Sequence, residues 1–284
     1  IEGIDEGESP DKELDVPDES WLWDELIVEG NLTMVISQPK VGKSALIGAF
    51  LGQLSSGSTE YLGKEIIGQK RSIYICGTDQ PLNDWVKILI PAGLAQRTAS
   101  GKVKLLDPIK RVWHKGKPIQ LTEESIEMLC GIAKEDAGAI FVFDAFASLI
   151  SGLGLDENHA ACVEPVRMLS EALSPSGATI ILLHHSSGSN EDARAVKASR
   201  GTNALPAEAS QVLKLDWLLP EDKHDNRVKI STAGRNSTPL DLVIEQIDRA
   251  VWVDHGSSAN IAESLRLEQV RAKLTPRREL VLTF

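Results

Sequence analysis

The chain is poor in cysteine, in aromatic residues and in positive charge, and it holds no long apolar run. Its three cysteines, Cys76, Cys130 and Cys162, are odd in number and widely spaced, which fits neither a disulfide framework nor a zinc knuckle and suits a reducing cytoplasm. Apolar runs such as residues 139–143 fall far short of the eighteen or so residues that a membrane helix needs, so no membrane partner is expected. Ile1 is followed by acidic residues rather than by a basic and then apolar stretch. No secretory signal is therefore read there, and the start on Ile1 suits an excised fragment. Gly and Pro together number 35 of 284 residues, too few for a low-complexity or collagen-like chain. With 30 basic against 41 acidic residues the net charge is -11, which argues against broad nucleic-acid affinity. What is present, 42% hydrophobic and 25% charged residues over 284 positions, is enough to bury one full α/β core and a small appendage.

The charge is unevenly spread. Nine carboxylates and one lysine fall in the first 20 residues, which carry eight of the eleven net negative charges. A self-repelling run with few apolar residues reads as a flexible arm over residues 1–19. From residue 31 onward short apolar runs alternate with helical patterns. Strands are expected at 32–36, 72–76, 139–143 and 178–184, with a shorter one at 103–106; helices are expected at 43–54, 82–94 with a bend at Pro91, 122–134 and 158–173. Thr122 and Ser125 are the candidate caps of the third helix. Strands alternating with crossover helices imply a parallel sheet covered on both faces. The pattern then changes: 211–217, 227–233, 242–246 and 250–254 read as strands joined by turns, an antiparallel extension, and 258–284 as a charged helical segment. The resulting division is an arm at 1–19, a principal domain at 20–256 and a helical segment at 257–284.

Between the first strand and the first helix lies Ser37-Gln38-Pro39-Lys40-Val41-Gly42-Lys43-Ser44, which meets the phosphate-loop pattern G-x-x-x-x-G-K-[ST] except at Ser37. Backbone N–H groups of such a loop, with the positive end of the following helix, cradle α and β phosphates, so residues 38 to 45, that is Gln38, Pro39, Lys40, Val41, Gly42, Lys43, Ser44 and Ala45, are the candidate ATP contacts. Lys43 would neutralise the β and γ phosphates and Ser44 Oγ would ligate Mg2+. Gly42 permits close backbone approach. Ser37, which is not glycine, must avoid positive φ.

Asp144 ends the apolar run 139–143 at the carboxyl edge of the sheet, where it is a candidate Mg2+ partner or a cap of the following turn. Asp79 follows the 72–76 strand at the same edge and is either the general base for the attacking water or a turn former. Glu157 and Glu164 read as solvated. His184 and His185 arrive at this edge on the strand 178–184. One of them, His185, is a candidate γ-phosphate sensor, with a structural role or a metal as the alternatives. Neighbours on a strand point to opposite faces, which weighs against a shared ion. A basic stretch, Lys102, Lys104, Lys110, Arg111, Lys115 and Lys117 around Trp113 and His114, either tracks a phosphate backbone with Trp113 stacked on a base or forms a solvated hairpin whose tryptophan packs on the core; the acidic balance favours the hairpin.

Taken together, Gln38 to Ser44, the run Phe143-Asp144-Ala145-Phe146-Ala147-Ser148-Leu149, Leu182-Leu183-His184-His185-Ser186-Ser187 and Ser199-Arg200-Gly201-Thr202-Asn203-Ala204-Leu205 resemble the RecA-like ATPase superfamily, above all the plasmid RepA-type hexameric helicases and their DnaB-like relatives. The resemblance spans about residues 20 to 255. It implies an α/β fold with a RecA-like P-loop core, a mostly parallel sheet flanked by helices and C-terminal antiparallel strands. It also implies ATP hydrolysis with Mg2+ in a homo-oligomer, a hexameric ring or filament, acting on single-stranded DNA in replication or recombination. By the same resemblance 186–203 holds the position of a DNA-facing loop, whose Arg194, Lys197 and Arg200 would meet phosphates while Glu191 and Asp192 oppose them. Arg235 matches an arginine that reaches a neighbour's γ-phosphate, with Ala233 where a lysine usually stands; the other reading of Arg235 is a turn residue. Asp79, with Thr78, stands where these families show a glutamate. The three departures, Ser37, Asp79 and Ala233, suit either slow turnover or a nucleotide-gated regulatory or scaffold protein.

Overall fold

The computed structural model describes residues 20–77, 81–113, 119–155, 159–185, 204–222, 224–235 and 237–273. The acidic arm, Asp79, Glu157 and the three loop cations Arg194, Lys197 and Arg200 lie outside them. In chain order the elements are a hairpin of β1 (Trp21–Trp23) and β2 (Ile27–Val28), then β3 (Leu32–Ser37), α1 (Lys43–Ser56), a hairpin of β4 (Glu60–Tyr61) and β5 (Lys64–Glu65), β6 (Ile73–Cys76) and α2 (Leu82–Leu89). A hairpin of β7 (Ala95–Arg97) and β8 (Val103–Leu105) precedes β9 (Ile109–Val112), α3 (Glu123–Glu135), β10 (Ile140–Asp144), α4 (Phe146–Ile150), α5 (Glu164–Leu173) and β11 (Thr179–His185). The chain continues through α6 (Ala204–Glu208), β12 (Gln211–Trp217), β13 (Arg227–Gly234), β14 (Asp241–Asp248), β15 (Val251–Gly256) and α7 (Ser258–Lys273).

One sheet organises the molecule, in the order β15-β14-β13-β12-β3-β11-β10-β6-β9. From β12 to β9 all neighbours are parallel; from β12 to β15 they are antiparallel. All six residues of β3 and all five of β10 are buried, as expected where helices cover both faces of a parallel sheet and the strands read as continuous apolar runs. The two-residue alternation of a strand then sends side chains to opposite sides. On one side Val35, Val142, Ile181 and Leu213 pack with Leu46, Phe50 and Leu54 of α1 and with Trp23 and Trp85. On the other, Met34, Phe141, Leu182 and Val212 pack with Leu129, Phe146, Leu149 and Leu169 of α3, α4 and α5. The β1–β2 hairpin is anchored by Trp23, which is fully buried, stacks on Phe50 at 4.8 Å and donates from its indole to Tyr61 O at 3.0 Å. No helix among the described residues is long and apolar enough to cross a membrane.

Helix ends follow their sequence signals. Thr122 caps α3, its Oγ accepting from the Ser125 N–H at 3.2 Å. Gly57, at φ 78°, closes α1 in the left-handed conformation that lets the last carbonyls be satisfied.

The structure departs from the pattern-based reading in several places. Residues 211–217 are not wholly part of an antiparallel extension: β12 runs parallel to β3 and antiparallel to β13, and so forms the junction of the two regions. Periodicity reports which way side chains point, not which way a neighbour runs. Residues 103–105 pair in a local hairpin, while the outer parallel strand is β9, whose exposed Lys110 and Arg111 hide the apolar pattern. The second helix ends at Leu89, before Pro91, whose ring nitrogen offers no donor to extend it. The stretch 158–173 is divided into a 3-10 turn at Ala160–Val163 and α5, with Pro165 in its first turn, the one part of a helix where proline fits. Finally, α4 has no counterpart in the sequence reading; its five residues are too few for a helical period to register.

Candidate functional site

β3 delivers the loop to the carboxyl edge of the sheet and α1 begins immediately after it, with Gly42 at the N-cap and no acidic residue in its first turn. The loop turns on two left-handed residues, Lys40 at φ 71° and Gly42 at φ 107°. Ser37 is not among the residues at positive φ: it ends β3 in extended backbone, so the missing glycine costs the loop no strain there. Its hydroxyl instead has partners of its own. Ser37 Oγ donates to Gln38 O at 2.6 Å and accepts from Lys43 Nζ at 3.0 Å.

Lys43 is buried, and its ammonium folds back over the end of β3. Besides Ser37 Oγ it reaches Ser37 O at 3.4 Å and His185 Nδ1 at 3.2 Å. β11 places His185 directly beside Ser37 in register. An ammonium can only donate, so Nδ1 is the acceptor and the ring proton sits on Nε2. One residue earlier, His184 is buried on the other side of the sheet with its ring edge-on to Phe146 at 5.2 Å. The two imidazoles therefore face opposite sides, and they do not converge on one ion.

Asp144, also buried, ends β10 at the same edge, and Ser44 Oγ donates to its Oδ2 at 3.0 Å. A hydroxyl and a carboxylate side by side at a helix N-terminus are a fitting pair of hard oxygen ligands for Mg2+, which is usually held by one or two protein groups plus water and phosphate. Among the described residues no group of three or more His, Cys, Asp or Glu could hold a metal by itself. The chain leaves β6 at Gly77, whose carbonyl accepts from Ser148 Oγ at 2.6 Å and whose φ is 58°. Leu149 packs so close to Gly77 that a Cβ there would lie 2.5 Å from its Cδ2.

The fold thus gathers five residues that the sequence reading singled out into two hydrogen-bonded groups at one sheet edge, Ser37, Lys43 and His185 in one and Ser44 and Asp144 in the other. Arg235 stands apart. It follows Gly234, which pairs with Gln211, itself beside Thr33 at the start of β3. Four residues at about 3.3 Å each put it about 13 Å along the sheet from Ser37. There its guanidinium donates to Ala207 O at 2.8 Å, and it helps line a cleft of about 550 Å3 with Arg167, Glu171 and Ser210 at the edge away from the loop. Trp113 is buried in the core with the Arg111 guanidinium over its ring at 4.5 Å, and Asp107 pairs with Lys70 and Lys110. Of the two readings of that basic stretch, the packing of Trp113 on the core fits, but the hairpin does not: Lys110 and Arg111 lie on β9, a parallel strand of the main sheet, whereas Lys104 lies in the β7–β8 hairpin. His114, Lys115 and Lys117 lie outside the described residues. Sequence reasoning overlooked Ser148 and two residues from far along the chain, Gln246 and Trp252, which close on Gly42. Nothing in their local pattern signals it, because only the folding back of β14 and β15 brings them there.

Against known proteins, a family model described as an AAA domain matches residues 11–191. No curated protein matches the chain in sequence. Among solved structures, one described as an ATPase domain superposes with a TM-score of 0.53 at 13% identity, over 79% of this chain and 85% of that one. A DnaB-like replicative helicase, described with its interactions with primase, gives 0.58 at 15% identity over 79% of this chain, which spans 57% of the helicase. A KaiC-like protein, PH0186 from Pyrococcus horikoshii OT3, gives 0.49 at 16% identity, over 82% and 93% of the two chains. At such identities the similarity is one of fold.

Proposed function

Because the chain belongs to the AAA domain family and has the fold of a RecA-like P-loop ATPase, we propose that it binds Mg-ATP at residues 38–45 and works as an oligomeric, DNA-associated motor, a helicase or translocase of replication or recombination. The observation that carries the reading is the pairing of Lys43 with Ser37 and His185 on one side of the loop and of Ser44 with Asp144 on the other.

Each group has a physical task in that reading. Lys43 gives up its hydrogen bonds to Ser37 and His185 for β and γ phosphate oxygens, replacing those neutral acceptors by charged ones. His185 Nδ1 then loses that donor, so the strand end that leads into 186–203 registers the arrival and loss of phosphate. Ser44 and Asp144 hold the Mg2+, which when bound neutralises the charge that develops on the phosphates. Asp79 activates the attacking water. In this reading Arg235, which lies at the sheet edge away from its own loop, serves a neighbouring subunit's γ-phosphate in a homo-oligomer, a ring or a filament. Arg194, Lys197 and Arg200 are the proposed contacts to single-stranded DNA. Residues 20–256 form the ATPase unit in this proposal, preceded by the acidic arm and followed by the helical segment from 257.

A second reading, a nucleotide-gated regulatory or scaffold protein that turns over slowly, is favoured by the grip of Ser37 and His185 on Lys43, which the incoming phosphates must displace. Steady-state ATPase measured with and without single-stranded DNA separates the two. Several-fold stimulation is the motor's result; near-background turnover that DNA leaves unchanged refutes it and leaves the regulatory protein.

A further inference from the structure

Gly42 is covered from an unexpected direction. A Cβ added there would lie 2.8 Å from Trp252 Cη2, 3.0 Å from Cζ2 and 3.5 Å from Gln246 Oε1. These two residues are a cross-strand pair of β14 and β15. The outer ring of the indole is thus wedged against the backbone of the residue that caps α1 and ends the phosphate loop. Trp252 is only 5% exposed, and its indole N–H is buried with no partner among the described residues. Leaving such a donor unsatisfied costs free energy, which is a reason for the wedge to be where the loop needs it rather than where the ring would be best solvated.

The strand that carries the wedge is not deeply held. β15 is the outer strand of the sheet, paired on one side only, and its register with β14 shifts twice, once between Val243 and Ile244 and once between Gln246 and Asp248. The second shift adjoins the Gln246–Trp252 pair. α7 follows β15 after a single residue, and Ser258 at its start hydrogen-bonds Asp241 of β14. A displacement of α7 or β15 therefore reaches Gly42 through one rigid ring.

We propose that Trp252 is a positioning residue for the phosphate loop, which acts through Gly42 to make nucleotide affinity depend on the position of the C-terminal hairpin. The inference rests on the nucleotide reading of the loop. By linkage the dependence runs both ways: nucleotide that tightens the loop must also hold the hairpin.

The test is a double-mutant cycle read by binding of a fluorescent ATP analogue, joined to hydrogen exchange of residues 251–256. Gly42→Ala alone drives its methyl into the indole, strains a backbone held at φ 107°, and lowers affinity steeply. Trp252→Ala removes the wedge and lowers it less. Combined, the two are expected to bind on the order of tenfold more tightly than the product of the single effects, since the clash is gone. Trp252→Phe keeps an aromatic ring in the core but is too short to reach Gly42. It should fold and melt within several degrees of the wild type yet lose the ATP-induced slowing of exchange in β15 that the wild type shows. Additive single effects, or identical exchange with and without ATP in the wild type, overturn the inference. Lys43→Ala is the control for the premise. If it still binds the analogue as well as wild type, the nucleotide reading itself fails; if it does not and the cycle is additive, only the role of Trp252 falls.

Discussion

Replacing Lys43 by Met separates what the lysine does for ligand from what it does for the fold. In the absence of nucleotide its ammonium is buried against a hydroxyl, a carbonyl and an imidazole at 3.0, 3.4 and 3.2 Å. Burying a cation costs several kcal/mol, which those hydrogen bonds largely offset. Methionine, similar in length and unbranched, removes both the cost and the compensation, so the stability of the free protein should change by about 1 kcal/mol or less. Toward ATP the balance differs, because the lost contact is between two charges. At about 3 kcal/mol for such a contact the dissociation constant rises about 150-fold. In a thermal melt with ATP at about a hundred times the wild-type dissociation constant, the wild type gains about 2.7 kcal/mol. At roughly 2–4 °C per kcal/mol for a chain of this size that is a shift of about 5–10 °C. The variant at the same concentration gains only about 0.3 kcal/mol, a shift of about 1 °C. A variant that melts like wild type without ATP and does not respond to it is the expected result. An undiminished ATP shift would refute the argument for the loop, and a fall of more than about 10 °C in the free protein would show that Lys43 is instead a structural cation.

Trp23→Ala removes a fully buried ring stacked on Phe50 and should cost about 3–5 kcal/mol, visible as a lower urea midpoint by circular dichroism; an unchanged midpoint would mean that the β1–β2 hairpin is no part of the cooperative core. Asp225 gives the pH dependence: the Arg227 guanidinium beside it, at 2.6 Å, holds its carboxyl below the ordinary value of 3.8. A depressed folded-state value stabilises above the unfolded value and is lost as pH falls through the folded one. The gap in urea midpoint between wild type and Asp225→Asn should therefore be constant from about pH 5 to 7 and narrow progressively as pH falls below about 4, and a gap that does not narrow at all on acidification below about pH 4 would contradict the pairing.

The parts of this protein that could be read from its sequence are those whose physics is local. An apolar run followed by Gly42-Lys43-Ser44 specifies a strand, a turn and a helix whose first N–H groups are unpaired, and those groups suit phosphate wherever the element sits. Likewise the run before Asp144 and the one before His185 reveal buried strands and the polar residues at their ends, because burial on both faces leaves no alternation. Tertiary structure alone decided the rest. It set β12 parallel to β3, put β9 rather than 103–106 at the outer edge, carried Arg235 to the far end of the sheet and brought Trp252 onto Gly42. Each of these is a contact between residues far apart in the chain, settled by strand order and direction, and a side chain's own pattern of neighbours along the chain holds no record of which strand will lie beside it.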